Sequence, residues 1–210
     1  NPLANQRVRA WDFAFSKPSE QYPDPDWTRG VLVSKDKSSV YTIEDCVGMR
    51  DRAHEVEKLI FATAVRDGTD VVISIPQDPN AAAGAYAKDL QRRLAEMGFV
   101  CRLQRPVKSK ITRFAPFSSV AQAGFVSVVT ADWNKSLFEE LEIFGSAVKH
   151  KDDIADCISD NFTLLNKNSQ MPDFSLASLD IPQTNPTFTG YNSSAVLPQQ
   201  SFQSLPSFNF

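Results

Sequence analysis

From Val8 to Glu44 the apolar residues fall mostly at strand spacing, and after Arg52 helical and strand spacing alternate. Val8 to Phe15 reads as a strand in which Asp12 interrupts an otherwise apolar stretch, AWDFAF. After a loop rich in proline and aspartate (Lys17 to Asp26), Arg29 to Ser34 and Ser39 to Glu44 read as two strands. The intervening Lys35-Asp36-Lys37-Ser38 makes them a hairpin. Val56, Leu59, Ile60, Thr63 and Ala64 lie at helical spacing within Arg52 to Arg66, and Gly68 ends that helix. Asp70 to Ile75 (DVVISI) is apolar enough for a strand buried on both faces. A helix over Ala82 to Met97 stops at Gly98, and Phe99 to Leu103 and Gly124 to Val129 read as strands. Trp133 to Phe144 and Asp152 to Leu165 are the last two helices. The predicted order is three strands, a helix, a strand, a helix, two strands and two helices. Such an order builds an α/β domain over residues 1–165, a mixed central sheet flanked by helices.

At Asn166 the composition changes. Prolines 172, 182, 186, 198 and 206 follow, with many Ser, Asn and Gln and only Lys167, Asp173 and Asp180 charged. A segment so poor in apolar residues buries too little surface to offset its ordering entropy, so residues 166–210 are expected to form a disordered, mobile tail. Its scattered Phe174, Leu176, Phe188, Tyr191, Phe202, Phe208 and Phe210 could dock on a partner, or the tail could be featureless.

Charge and cysteine usage narrow the chemistry. Three cysteines (Cys46, Cys101, Cys157) without CxxC spacing argue against a zinc site or a disulfide framework and fit a reducing cytoplasm. No apolar run is long enough to cross a membrane, and no charged-then-apolar stretch reads as a secretory leader, so none is expected. The net charge of −3 speaks at first against nucleic acid. Yet Arg92, Arg93, Arg102, Arg105, Lys108, Lys110 and Arg113 stand against the single acid Glu96, a local basic stretch that is either a solvated face or a phosphate-binding one.

Three acidic positions sit where a bare fold would not choose them. Asp12 lies within a strand, where aspartate is depleted. Asp78 follows the buried DVVISI strand, and Asp152, Asp153 and Asp156 open the last helix (HKDDIADC). Asp153 and Asp156 are three apart and are expected on one helical face. Each has a plainer reading: Asp12 facing solvent from an edge strand, Asp78 as a turn residue before proline, Asp152 or Asp153 as a helix cap. Together they can converge, and hard divalent cations want such oxygen ligands.

The segments RAWDFAFS, VVISIPQDPNAAAGAYAKDL, KSKITRFAPFSSVAQAGFVSVV, WNKSLFEELEIF and HKDDIADCISDNF, in this order over Arg9 to Leu165, resemble the nuclease domain of phage large terminase subunits, with its RNase H-like fold. The resemblance implies that Asp12, Asp78 and Asp153 are the three catalytic acids and hold two Mg²⁺ or Mn²⁺ ions. It also implies that Asp156 adjusts one ion, with Asp152 and His150 close to the metals. Lys108, Lys110 and Arg113, with Arg105, would hold the backbone of double-stranded DNA. The implied activity is low-specificity endonuclease cutting of concatemeric viral DNA during genome packaging in the bacterial host cytoplasm. Its partners would be the terminase ATPase domain, the small terminase subunit and the portal protein. Where the family often carries a PGxxGK-like pattern, Asn80 and Ala83 replace the two glycines and Gly84 the lysine. No GxxxxGK[ST] loop occurs and the chain begins at Asn1, so the ATPase is expected on an amino-terminal part absent from this chain. A resolvase or transposase of the same fold, and a motor docking module with weak cleavage, are the alternative readings.

Overall fold

The structure, a computed structural model, describes residues 4–77, 81–105, 108–146, 151–167 and 202–204. Strands β1 (Ala4–Asp12), β2 (Thr28–Asp36) and β3 (Tyr41–Met49) form an antiparallel meander. At the β2–β3 turn the Asp36 carboxylate accepts the amides of Ser38 (2.8 Å) and Val40 (3.0 Å). Ser39 there takes a positive φ of 61°. β3 outruns the predicted end at Glu44, because Glu44 and Asp45 are spent on arginines of β1: Arg7 reaches Glu44 at 2.9 Å and Arg9 reaches Asp45 at 2.7 Å. β1 ends earlier than predicted, at Asp12. Beyond it the Thr28 hydroxyl replaces the ladder, accepting from the Ala14 amide at 3.0 Å and donating to its carbonyl at 3.2 Å. Asp12 therefore closes a strand rather than interrupting one.

Helix α1 (Ala53–Asp67), β4 (Val72–Pro76), helix α2 (Ala81–Glu96) and β5 (Cys101–Gln104) follow as predicted. Next comes helix α3 (Lys110–Gln122), which the hydrophobic pattern did not announce. Its buried stripe is only Phe114, Phe117 and Ser118, Pro116 sits inside it, and Ile111 is on its exposed side. What starts it is Ser109, whose hydroxyl accepts the Thr112 amide at 3.3 Å. Strand β6 (Val126–Val129), helix α4 (Asn134–Ile143) and helix α5 (Asp153–Lys167) complete the domain. α5 runs two residues past the predicted boundary, and Asn166 Oδ1 accepts from Lys35 Nζ (2.8 Å) and Tyr41 Oη (2.7 Å).

The sheet order is β5-β4-β1-β2-β3-β6-β7, with β1–β4, β4–β5 and β3–β6 parallel. Strand β7 (Phe202–Ser204) pairs antiparallel with β6. Three residues of the segment expected to be a tail are thus sheet; the rest of 168–210 lies outside the described residues.

Two apolar layers cover the sheet. Trp11, Ile73 and Ile75 pack with Val56, Ile60 and Ala64 of α1 and Ala87, Leu90 and Leu94 of α2. Val8, Ala10, Val31 and Val33 pack with Phe114 and Phe117 of α3, Leu137 and Leu141 of α4, and Ile154 and Ile158 of α5. Side chains alternate along a strand, so Asp12 follows Val8 and Ala10 onto the face covered by α5. Arg9, on the Trp11 face, is 1% exposed and grips Asp67 and Asp45 at 2.7 Å and the Gly30 carbonyl at 3.0 Å.

Candidate active site

α5 is nearly enclosed, and its spacing sorts its side chains onto two neighbouring stripes. Asp153, Cys157 and Asn161, each four apart, face the sheet: Trp27 N donates to Asp153 Oδ2 (3.3 Å), Cys157 Sγ to the Arg29 carbonyl (3.4 Å) and Asn161 Nδ2 to the Val31 carbonyl (2.9 Å). Asp152, Asp156 and Asp160 are also four apart but face α3. Lys110 Nζ lies 2.8 Å from both Asp152 Oδ2 and Asp156 Oδ2. Arg113 reaches Asp156 Oδ1 at 2.5 Å and Asp160 Oδ1 at 2.9 Å. Asp153 and Asp156, expected on one face, are therefore used in two directions.

Asp12 comes to this helix from the end of β1, its Oδ1 accepting the Phe13 amide at 3.0 Å. Burial pushes its carboxyl up to about 8, and the charges of Asp156 and Asp153 push the same way; Lys110 and the Phe13 amide oppose them. Asp153 is also raised, by burial first and then by Asp26 and Asp152, against the Trp27 amide and Arg29. Burial raises Asp160 to about 6 in spite of Arg113. The Lys110 ammonium is lowered by burial, but its bonds to Asp152 and Asp156 outweigh this and hold it above its ordinary value.

Among the described residues, Asp12 and Asp153 have no cationic side chain within ion-pair distance, whereas Asp152, Asp156 and Asp160 all do. An acid whose ionisation is opposed by burial and by like charges is stabilised in its ionised form by a divalent ion, so these two carboxylates fit a hard cation. Among the described residues no group of three His, Cys, Asp or Glu is arranged to hold a metal. Asp78 and His150 lie outside the described residues. β4 carries the chain toward Asp78: Ala10 pairs with Ser74, which sets Pro76 at the level of Asp12 on the neighbouring parallel strand.

The basic stretch divides. Arg92 pairs with Asp89 (2.7 Å) and Glu96 (2.5 Å), and Arg93 with Glu57 (2.9 Å). Lys110 and Arg113 turn to the α5 acids. Arg105 and Lys108 are exposed, without ion pairs among the described residues, and line a recess with Thr163 and Lys167 of α5.

Two groups were not read from the sequence. Glu140 of α4 is buried, and its Oε1 accepts the amides of Ile154 (2.6 Å) and Ala155 (3.0 Å) at the start of α5. Burial raises its carboxyl to about 7, against the two amides. It lies in line with Leu137, Leu141 and Phe144, a spacing that marks an acid on the apolar stripe. The other is Trp27, whose ring lies between the guanidinium groups of Arg29 and Arg50, each 4.2 Å from its centroid.

A mixed sheet with acids at the end of its first strand and the start of its last long helix defines an RNase H-like domain. Solved structures sharing the fold include the human cytomegalovirus terminase nuclease domain, Mn soaked and inhibitor bound, at 14% identity and TM-score 0.57, covering 77% of this chain and 83% of that one. The same domain, Mn soaked, matches at 15% identity and TM-score 0.52, covering 77% and 84%. A fowlpox virus resolvase in complex with Holliday junction DNA matches at 9% identity and TM-score 0.50, covering 77% and 98%. At these identities the likeness is one of fold. No curated protein matches the chain. Residues 9–163 match the model of the Terminase RNaseH-like domain, and the chain belongs to that family.

Proposed function

We propose that this domain is a metal-dependent DNA endonuclease that cuts concatemeric viral DNA during genome packaging in a bacterial host. The observation that carries this reading is the pair Asp12 and Asp153. They approach from different elements, the charge of Asp153 adds to the cost of ionising Asp12, and among the described residues no basic side chain lies within ion-pair distance of either. Asp12 and Asp153, joined by Asp78 from the loop after β4, would hold two Mg²⁺ or Mn²⁺ ions. The chemistry such ions supply when bound is activation of water and neutralisation of charge at phosphorus and the leaving 3′-oxygen.

The chain's own residues do the rest. The Trp27 amide fixes one oxygen of Asp153, and Glu140 anchors the helix that carries it. Arg105 and Lys108 offer free cations to the phosphate backbone of double-stranded DNA, a contact without sequence information. The Mn-soaked cytomegalovirus domain supports divalent metal use, and the resolvase–junction complex supports DNA as the ligand of this fold. The ATPase domain, the small terminase subunit and the portal are the partners this role requires.

The test is nicking and linearisation of supercoiled plasmid with Mn²⁺, Mg²⁺ or EDTA. Wild type is expected to cut with either metal and not in EDTA, and Asp12→Ala and Asp153→Ala are expected not to cut. Cutting retained in both variants sinks the assignment. A four-way junction cut in preference to linear duplex would favour the resolvase reading, which the fold shared with the fowlpox enzyme keeps in play.

A further inference from the structure

The seam between α3 and α5 carries an alternating row of charges: Asp152, Lys110, Asp156, Arg113, Asp160. Both oxygens of Asp156 are committed within it, Oδ2 to Lys110 and Oδ1 to Arg113. The side chains of Asp156, Arg113 and Asp160 are 13%, 14% and 14% exposed, so this end of the row is a desolvated ion-pair network. Breaking such a pair leaves an uncompensated charge in a poorly solvated place. Lys110 differs: half of its side chain is exposed, and its charge is felt at Asp12. An ammonium has three N–H donors; two point at Asp152 and Asp156, and the third is left for a further acceptor.

We infer that Asp156 is a positioning residue and not a metal ligand: through the Asp152–Lys110–Asp156–Arg113 row it holds the Lys110 ammonium at the rim of the site, where Lys110 takes a phosphate oxygen of the strand being cut. This rests on the nuclease reading above and deepens it. The two-stripe geometry of α5 supplies the logic. Asp153 faces the sheet and is left open to metal, while the stripe one residue behind it neutralises and aims a lysine. Lys110 and the ions then do different work. Bound ions would supply activation of the water and of the leaving group; Lys110 offsets charge on the phosphate itself.

The experiment compares Asp156→Asn, Lys110→Met, Lys110→Arg, Asp153→Asn and the double variant Lys110→Met/Asp156→Asn in the full chain. Mn²⁺ binding is read by calorimetry without DNA, and plasmid nicking gives kcat and KM. Thermal melts confirm that each variant folds. Asp156→Asn and Lys110→Met are expected to bind Mn²⁺ within about threefold of wild type, or more tightly for Lys110→Met, which removes a nearby positive charge. Both lose kcat by about tenfold or more, with Lys110→Arg recovering part of it. The double variant is expected to be no worse than Lys110→Met alone, since Asp156 acts through Lys110. Loss of Mn²⁺ binding in Asp156→Asn as deep as in Asp153→Asn makes Asp156 a ligand and overturns the inference while the nuclease reading stands. Multiplying losses in the double variant overturn it as well. If Asp156→Asn does not fold, Lys110→Met decides: unchanged kcat refutes the role of Lys110. Undiminished Mn²⁺ binding in Asp153→Asn would instead refute the nuclease site itself.

Discussion

Glu140 Oε1 accepts the Ile154 amide at 2.6 Å, so one helix caps another, and the capped helix is the one that bears Asp153. The first amides of a helix have no partner within it, and here the partner comes from α4 through the fold rather than from the preceding loop. Glu140→Ala leaves two buried amides unsatisfied and is expected to cost about 2–4 kcal/mol of stability. Glu140→Gln keeps an acceptor and is expected to cost less than half as much. Urea denaturation of the three proteins measures both; equal stability of Glu140→Ala and wild type would show that the cap carries no weight.

Raised carboxyls give the metal-free protein a definite pH response. Asp12 is raised from 3.8 to about 8, Glu140 from 4.5 to about 7 and Asp160 from 3.8 to about 6. Between roughly pH 4 and 8 the native state therefore binds more protons at these groups than the unfolded chain does, and their contribution to stability is lost as pH rises. Each group contributes a slope of about 1 kcal/mol per pH unit within its own window. The melting temperature in EDTA is expected to be lower at pH 8 than at pH 5. Asp12→Asn is expected to flatten the profile, most visibly above pH 7, where Asp160 and then Glu140 have largely lost their protons and Asp12 is still losing its own. An Asp12→Asn profile parallel to wild type would mean that Asp12 is not held protonated.

Arg9 is the buried cation of the opposite sheet face. Asp67, its partner at 2.7 Å, is itself only 5% exposed. Arg9→Met is expected to destabilise by about 3 kcal/mol, because the buried Asp67 carboxylate keeps only its longer contact to the exposed Arg66, at 3.4 Å. Adding Asp67→Asn is expected to restore a good part of that loss. Denaturation midpoints of the single and double variants test the coupling, and strictly additive losses would refute it.

Arg105 and Lys108 have no ion pairs among the described residues and stand exposed beside the α3–α5 recess. Replacing each by Ala is expected to weaken duplex binding evenly across sequences and to reduce the slope of log K against log salt by about one. Titrating labelled duplexes of different sequence over a range of NaCl measures this. An unchanged slope would place the DNA elsewhere.

The sequence carried the strand–helix order because most elements expose it in their apolar spacing: α1 and α2 bury one clean stripe each, and β4 is apolar but for Ser74. α3 escaped because its stripe is two phenylalanines long and an exposed Ile111 blurs it. Asp12 was legible as an acid in an apolar run. The division of labour between Asp153 and Asp156 was not, since their spacing is compatible with a shared face and only the neighbours of α5 separate them. Lys110 and Arg113 read as surface charges for the same reason: their partners lie more than forty residues away along the chain, and no local pattern reports a contact of that range. Glu140 was the readable omission. It stands in step with Leu137, Leu141 and Phe144, and an acid in that register needs a buried partner.

Of the fifteen residues of α5, only Thr163 and Lys167 are exposed. A helix so enclosed opens only when the core opens, and its amides are among the last to exchange with solvent. Asp153 thus rides on a helix that the fold encloses, and α5 is poorly suited to swing it in or out. Control over the site has to act from its open side, by regulating what reaches the acids rather than by moving them.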